Sequence, residues 1–265
     1  MKVVKEYPDG VFCWVDLATT DAEGAKAFYS GLFGWEALDI PTDKGPVYTM
    51  FQIDGKNVAA VSAMMPEMAA QGVPPHWSSY VKHSDADAVA AKVTEAGGTV
   101  MMPPMDVMDS GRMLFAQDPS GAAFGVWQPA NHIGAELVNM PNTVVWNELQ
   151  TRDKDGSLAF YSAVFGWTHD SDPNGYVMFK ADDRTQAGMI QMDESWGPMP
   201  PSWSVYFMVE DVDAAVARVG ELGGNVLVPP TAAGELGRFA VVQDPQGGMF
   251  TVMQFAGPVD TPPGP

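Results

Sequence analysis

The feature that most constrains this chain is an internal duplication. The segment 14–35 (WVDLATTDAEGAKAFYSGLFGW) matches 146–167 (WNELQTRDKDGSLAFYSAVFGW) at 12 of 22 positions. Further along, residues 74–128 match 200–254 at 25 of 55 positions, including the turns QDPSG and QDPQG. Similarity at a nearly fixed offset indicates that one structural unit occurs twice.

Each copy has the length of an ordinary domain. The chain has 265 residues, so each copy spans about 130 residues, and 46% hydrophobic against 18% charged residues is enough to fill two cores. We predict a first domain at 1–132, a second at 133–256 and a flexible Pro/Gly tail at 257–265.

Charge and cysteine content restrict the class of protein. A formal charge of −19 opposes binding to phosphate backbones and to anionic membranes, so we expect neither a nucleic-acid nor a membrane partner. The single cysteine, Cys13, cannot form an intramolecular disulfide, which favours a reducing compartment. No apolar run approaches the roughly 18 residues of a membrane helix. We expect a cytoplasmic protein that is a monomer or a homodimer.

Each domain divides again into two similar modules. In the first domain, strand-like residues precede Asp21 and the helical run AEGAKAFYSGLF, and the same pattern recurs at Asp85 with ADAVAAKVTEAGG. Aspartate is a preferred residue at a helix N-terminus. Three short strand-like runs follow each helix. The predicted order is therefore βαβββ, four times, in an α+β fold.

This order, together with the helix end FY-x(3)-FGW and the turn DP-x-G, resembles the vicinal oxygen chelate superfamily of glyoxalases, bleomycin-resistance proteins and extradiol dioxygenases. The resemblance covers nearly the whole chain. The tandem copies joined by NHIGAELVN are similar to an actinobacterial subgroup with proteins labelled as hydroxylases or as a culture-filtrate antigen. The resemblance implies two U-shaped half-barrels with helices outside and a ligand cavity inside each.

The chain departs from the metal site that this resemblance implies. Metal-using members place His, Glu or Gln ligands on the first, fifth and eighth strands. The equivalent positions in the two domains hold residues that are not strong ligands, namely Trp14, Ser78, Gly125, Trp146, Ser204 and Thr251. We therefore predict that the family metal site is absent and that no cofactor is used.

Strand alternation places an acid two residues after a tryptophan on each cavity face. These pairs are Trp14 with Asp16 and Trp146 with Glu148. The indole offers a flat apolar surface and the carboxylate accepts from a hydroxyl or an amine, so both acids are candidate ligand anchors and candidate general acid/base catalysts. Alternatively, each acid only completes a structural hydrogen-bond network.

Five further residues are candidate ligand contacts. Tyr80, Trp127 and Tyr206 share the predicted cavity faces. Arg112 and Arg238, each in a Gly-Arg pair, are able to clamp a ligand carboxylate or phosphate, or to form internal salt bridges.

Three functions remain open. The first is a small-molecule-binding protein that sequesters or senses an organic ligand without a metal. The second is an enzyme, a glyoxalase-like lyase, an isomerase or a hydroxylase- or dioxygenase-related catalyst, with Asp16 or Glu148 as acid/base. The third is an interaction protein whose cavities are filled by its own side chains.

Overall fold

The computed structural model describes residues 3–42 and 46–257. All of the predicted tail 257–265 except its first residue lies outside the described residues. Within the described part, the first half comprises β1 (Phe12–Thr19), α1 (Ala22–Phe33), β2 (Glu36–Ile40), β3 (Tyr48–Ile53), β4 (Lys56–Ala63), α2 (Pro66–Ala70), β5 (His76–Lys82), α3 (Ala86–Glu95), β6 (Thr99–Val107), β7 (Gly111–Gln117) and β8 (Ala123–Pro129).

The second half repeats this order, with a short 3-10 turn (Glu194–Trp196) where the first half has α2. Its elements are β9 (Val144–Thr151), α4 (Lys154–Phe165), β10 (Thr168–Ser171), β11 (Val177–Ala181), β12 (Arg184–Gln191), β13 (Ser202–Met208), α5 (Val212–Glu221), β14 (Asn225–Ala232), β15 (Gly237–Gln243) and β16 (Met249–Phe255). The predicted α+β fold of four βαβββ modules is confirmed.

The first helix of each half begins and ends on the same signals. Asp21 accepts a hydrogen bond from the backbone N–H of Gly24, and Asp153 caps the start of α4 in the same way. Both helices end at a glycine in the left-handed region, Gly34 with φ 72° and Gly166 with φ 74°. A residue with a Cβ is disfavoured there, so these glycines fix where the chain turns back towards the sheet.

Each half forms one eight-stranded mixed sheet. The strand order is β2-β3-β4-β1-β5-β8-β7-β6 in the first sheet and β10-β11-β12-β9-β13-β16-β15-β14 in the second. The two modules of a half therefore join through the antiparallel pairs β1–β5 and β9–β13 at the centre of the sheet. The first strand of each half therefore lies in the middle of its sheet, with a neighbouring strand on both sides.

The hydrophobic cores combine residues from both halves. One cluster joins Phe28 and Phe33 of α1 to Phe207 of β13, Val219 of α5 and Phe250 of β16. The first module thus packs against the fourth.

A second cluster repeats this arrangement with the other two modules. It joins Val93 of α3 and Phe124 of β8 to Phe160 and Val164 of α4 and to Phe179 of β11. The second module thus packs against the third, and the helices that cover one sheet also contact the other half.

Two buried tyrosines connect the halves through the DP-x-G turns. The hydroxyl of Tyr29 donates to Asp244 Oδ2 at 2.9 Å, and the hydroxyl of Tyr161 donates to Asp118 Oδ2 at 3.2 Å. The indole N–H groups of two tryptophans complete the pattern, donating to the hydroxyls of these tyrosines from Trp77 and Trp203. The two sequence motifs that carry the resemblance, FY-x(3)-FGW and DP-x-G, therefore meet in the contact between the halves.

Across the described residues, every helix is too short or too polar to cross a lipid bilayer.

Candidate functional site

A hydrogen-bonded cluster of four side chains lies on the face of the first sheet that the helices do not cover, which we call the helix-free face. Trp14 Nε1 donates to the hydroxyl of Tyr48 at 2.9 Å. That hydroxyl donates to Asp16 Oδ2 at 3.0 Å, and the hydroxyl of Tyr80 donates to the same oxygen at 2.9 Å. We call Trp14, Asp16, Tyr48 and Tyr80 the Asp16 cluster.

The sheet register brings these residues together. Trp14 lies opposite Tyr80 in the β1–β5 pair, and Asp16 lies opposite Ser78. Side chains two positions apart on a strand share a face, so Asp16 and the two aromatic residues project to the same side. Tyr48 reaches them from the start of β3, two strands away from β1.

The second half builds the same cluster from equivalent positions. Trp146 Nε1 donates to the hydroxyl of Tyr176 at 3.0 Å, and that hydroxyl donates to Glu148 Oε2 at 2.8 Å. The hydroxyl of Tyr206 donates to Glu148 Oε1 at 2.7 Å. We call Trp146, Glu148, Tyr176 and Tyr206 the Glu148 cluster.

Burial shifts the titration of both acids upward. Desolvation raises the pKa of Asp16 to about 6, although hydrogen bonds from Tyr80 and Tyr48 partly oppose the shift. Burial also raises the pKa of Glu148 above its ordinary value. The pKa values of Tyr48 and Tyr80 are raised by burial and by the neighbouring carboxylate, so both hydroxyls keep their protons and act as donors.

The two clusters differ in which groups are accessible. In the first half, Trp14 and Tyr80 are only 5% and 4% exposed, whereas Asp16 is half-buried. In the second half, Glu148 is only 8% exposed, while Trp146 and Tyr206 are half-buried. The acid is therefore among the more exposed residues of the first cluster, whereas the more exposed residues of the second cluster are aromatic.

A histidine from the segment between the halves packs against the aromatic residues on the helix-free face of the first sheet. The ring of His132 packs edge-on against Trp14, with centroids 4.6 Å apart, and also contacts Trp127 at 5.7 Å. Trp127 Nε1 donates to the backbone carbonyl of His132 at 2.7 Å. Burial lowers the pKa of His132 to about 4, so the imidazole is neutral near pH 7. Its Nε2 atom is buried without a hydrogen-bond partner among the described residues.

The two arginines lie on the opposite, helix-covered face. Arg112 donates from Nε and Nη2 to Asp87 at the start of α3 and from Nη1 to Asp106. Arg238 pairs with Asp213 at the start of α5. The structure thus places both guanidinium groups in salt bridges, away from the acid clusters. A ligand contact for either arginine remains a prediction.

Sequence reasoning missed three of the side chains that contact the predicted candidates. Tyr48 and Tyr176 were not singled out, although the sequence contains the signal, since YTMF and YVMF recur at the same offset as the strands that follow them. His132 has no counterpart in the repeat and carries no such signal. Only the folded connection between the halves brings it to Trp14.

Comparison with known proteins gives this geometry a family context. The model of the Glyoxalase/Bleomycin resistance protein/Dioxygenase superfamily matches residues 12–126 and again residues 134–252. The chain belongs to this superfamily. The predicted resemblance is therefore confirmed, and each family match contains one acid cluster.

Relatives in this superfamily cover nearly the whole chain. A Mycobacterium bovis protein provisionally named glyoxylase CFP32 is 46% identical over 254 residues, which is 94% of this chain and 96% of that protein. The anthracycline biosynthesis protein DauV of Streptomyces sp. strain C5 is 38% identical over 261 residues, with 94% of each chain covered.

Solved structures of the superfamily share the fold at low identity. The Mn(II)-bound glyoxalase from Novosphingobium aromaticivorans superposes with a TM-score of 0.64 at 17% identity, covering 96% of this chain and 85% of that one. The 2,3-dioxygenase LapB from Pseudomonas sp. KL28 has a TM-score of 0.64 at 14% identity, covering 93% of each chain.

The donor set does not fit the superfamily's divalent metal. Among the described residues, no group of three or more His, Cys, Asp or Glu side chains is placed to hold a metal ion. Each cluster supplies one carboxylate, and its oxygens accept hydrogen bonds from tyrosine hydroxyls. Transition-metal sites with open positions in this superfamily need several such ligands, so we derive no chemistry through a metal here.

A glycine of β8 makes room for the ring of Tyr80. A Cβ on Gly125 would lie 2.3 Å from Cδ1 of Tyr80, an atom near the centre of a buried side chain. We expect Gly125→Ala to lower the free energy of unfolding by about 1–3 kcal/mol through overpacking, and to lengthen the bond from Tyr80 to Asp16. Urea unfolding measures the first effect.

The control for this variant is Gly220→Ala, which makes the same substitution on an exposed part of α5 where a Cβ would meet nothing within 4 Å. Replacing a glycine within a helix by alanine stabilises by about 0.5–1 kcal/mol, so the control has the opposite sign. Equal stability of Gly125→Ala and the unmodified protein would show that the ring of Tyr80 moves freely.

Proposed function

We propose that the chain is a binding protein for a small organic molecule, which it holds on the helix-free side of its sheets. The observation that carries the proposal is the duplicated Trp–Tyr–acid–Tyr cluster, built from equivalent positions in both halves. Buried acids with raised pKa values are costly to maintain in a purely structural role, and they are frequent at functional sites.

The chemistry of the clusters supports a ligand with a ring and a polar group. Indole and phenol rings give flat apolar surfaces for packing, and the carboxylate accepts a hydrogen bond from a hydroxyl or an amine. The superfamily membership supports the same reading, because the fold of this superfamily binds small molecules.

An acid/base enzyme is the second candidate. A group with a pKa of about 6, as for Asp16, exchanges protons readily near neutral pH. The relative provisionally named a glyoxylase supports this candidate by name. A lyase, isomerase or hydroxylase-like reaction would then use Asp16 or Glu148 to move a proton on the bound ligand.

A protein with filled cavities is the third candidate. The near-complete burial of Trp14, Tyr80 and Trp127 supports it for the first half.

A cytoplasmic location and a monomeric or homodimeric state are part of the proposal. Size-exclusion chromatography with light scattering measures the oligomeric state.

Saturation-transfer NMR tests the binding function with three defined probes, namely benzyl alcohol, benzylamine and cyclohexanol. We expect saturation transfer to the two aromatic probes, with dissociation constants in the micromolar to millimolar range typical of fragments. Replacing Trp14 or Trp146 by alanine should weaken binding at the affected face. If none of the three probes binds the intact protein, the binding proposal is wrong and the filled-cavity candidate gains support.

A further inference from the structure

We infer that the two clusters have diverged in function. In the first half, Asp16 accepts a hydrogen bond from a donor group of the ligand. In the second half, Glu148 is a positioning residue that holds Tyr176 and Tyr206. The expected ligand of the first half is a small organic molecule with an amino or hydroxyl group. This inference rests on the proposed binding function and adds which half binds and through which atom.

The use of the carboxylate oxygens differs between the copies. Tyr48 and Tyr80 both donate to Oδ2 of Asp16, at 3.0 and 2.9 Å. Tyr176 and Tyr206 instead divide the carboxylate of Glu148, one on each oxygen, at 2.8 and 2.7 Å. An ionised carboxylate has about four acceptor positions, so with both tyrosines on Oδ2 the carboxylate of Asp16 keeps acceptor capacity on Oδ1, even with the hydroxyl of Ser78 as a third donor to the group.

The exposure of the two acids agrees with this division. Asp16 is half-buried, so part of the residue stays accessible, although its carboxylate is desolvated enough to raise its pKa. Glu148 is 8% exposed and lies beneath its aromatic partners. The longer side chain of Glu148 receives one tyrosine hydroxyl on each carboxylate oxygen, and this bidentate arrangement holds the rings of Tyr176 and Tyr206 in place.

In the second half, the backbone of β12 also packs tightly against Tyr176. A Cβ at Gly188 of β12 would lie 1.8 Å from the hydroxyl oxygen of Tyr176, whereas the equivalent strand position in the first half is Ala60. The Glu148 cluster therefore fills the space directly above its own sheet, which is what a structural role for that cluster requires.

The first half has a second polar group with unused capacity. Nε2 of His132 is buried and has no hydrogen-bond partner among the described residues, although its ring contacts Trp14. A buried polar atom without a partner is unfavourable, and a ligand hydroxyl or amine that reached it would recover part of that cost. Trp14 links the two groups indirectly: its indole N–H donates to the hydroxyl of Tyr48, which donates to Asp16, and its ring packs against His132.

The pH dependence follows from the groups that face Asp16. These are the hydroxyls of Tyr48 and Tyr80, which stay protonated, the hydroxyl of Ser78, and His76, whose electrostatic effect lowers the pKa of Asp16. Above about pH 6 the carboxylate is charged and attracts a cation, and below it the acid is neutral. Benzylamine is a cation throughout this range, so its binding should weaken about tenfold between pH 7 and pH 5.

The test uses benzylamine as the probe, with isothermal titration calorimetry, native mass spectrometry and ¹H–¹⁵N NMR of the indole groups. We expect one molecule per chain and a shift of the Trp14 indole resonance, which Trp14→Phe assigns by removing it. Asp16→Asn should weaken binding at least tenfold at pH 7 and abolish the pH dependence. Glu148→Gln should lower the melting temperature and retain a pH midpoint near that of the unmodified protein.

Asp170→Asn is the matched control for charge, because it removes one exposed carboxylate of β10 that pairs with Lys180. We expect its benzylamine affinity to stay within twofold of the unmodified protein. His132→Phe keeps the edge contact with Trp14 but lacks the nitrogen, and it should weaken binding severalfold.

Two results would overturn the inference while leaving the binding function intact. One is two equivalent benzylamine sites per chain, and the other is a pH midpoint that moves in Glu148→Gln but not in Asp16→Asn. Absence of benzylamine binding, with benzyl alcohol bound, would exclude the recognition of a cation by Asp16 and the pH dependence that we infer from it. If no probe binds at all, both the function and the inference fail.

Discussion

A chain divided between its two halves should give no folded monomer from either piece alone. Residues 1–132, expressed by themselves, leave Phe28 and Phe33 of α1 without the side chains of Phe207 and Phe250 that cover them in the intact protein. Burial of a large apolar side chain contributes about 1.5–3 kcal/mol. Several such losses are comparable with the 5–15 kcal/mol that stabilises a typical protein.

Circular dichroism and light scattering check this expectation on residues 1–132, on residues 133–265 and on their equimolar mixture. We expect each piece to be unfolded or to self-associate through the surface that normally contacts the other half, and the mixture to recover a cooperative thermal transition. A protease site inserted at the exposed residue Asn131 is the control, since cleavage there leaves both pieces present and should preserve the fold. A folded monomer of residues 1–132 would contradict the shared core.

The second large effect concerns the turn that receives Tyr161. Asp118 is 3% exposed, and its Oδ1 accepts hydrogen bonds from the backbone N–H groups of Ser120 and Ala122, while Oδ2 accepts from Tyr161. Asp118→Ala leaves several buried donors without a partner, each costing about 1–3 kcal/mol. We expect a loss of about 3–5 kcal/mol in the free energy of unfolding, measured by urea denaturation.

Milder variants separate the turn from the contact between the halves. Asp118→Asn keeps the acceptor oxygen of the turn and should cost less than the alanine variant. Tyr161→Phe removes only the hydroxyl that crosses between the halves and should cost about 1–2 kcal/mol.

The double variant Asp118→Asn with Tyr161→Phe then gives the coupling energy of the cross-half bond. The equivalent pair, Tyr29 and Asp244, should behave in parallel, because it makes the same bond at 2.9 Å. Additive effects of the two single substitutions would mean that the hydroxyl bond contributes nothing to joining the halves.

Much of the fold could be read from local signals. Asp21 and Asp153 fix where the first helix of each half begins, and Gly34 and Gly166 fix where it ends. The period of two along β1 and β9 placed Trp14 with Asp16, and Trp146 with Glu148, on one face each. These inferences succeed because caps and alternation depend on residues within a few positions of each other.

The candidate site was accessible to sequence reasoning only in part. Tyr80 and Tyr206 were assigned to the same faces as the acids, and both donate to those acids in the folded protein. Tyr48 at the start of β3 and Tyr176 just before β11 reach the acids only because β4 and β12 pair in parallel with β1 and β9. Because a helix and two strands separate β1 from β4, and β9 from β12, their pairing depends on the assembly of the whole sheet and not on local sequence.

Local sequence signals establish a duplicated βαβββ chain with an acid two residues after a tryptophan in each copy. The folded protein adds that the first module packs against the fourth and the second against the third, and that Asp16 and Glu148 use their oxygens differently. The physical reason is that apolar burial is non-directional, so a helix with an apolar stripe specifies that it must be covered but not by which partner. Hydrogen bonds from Tyr48 and Tyr176 are directional, but their geometry exists only after the sheets have formed.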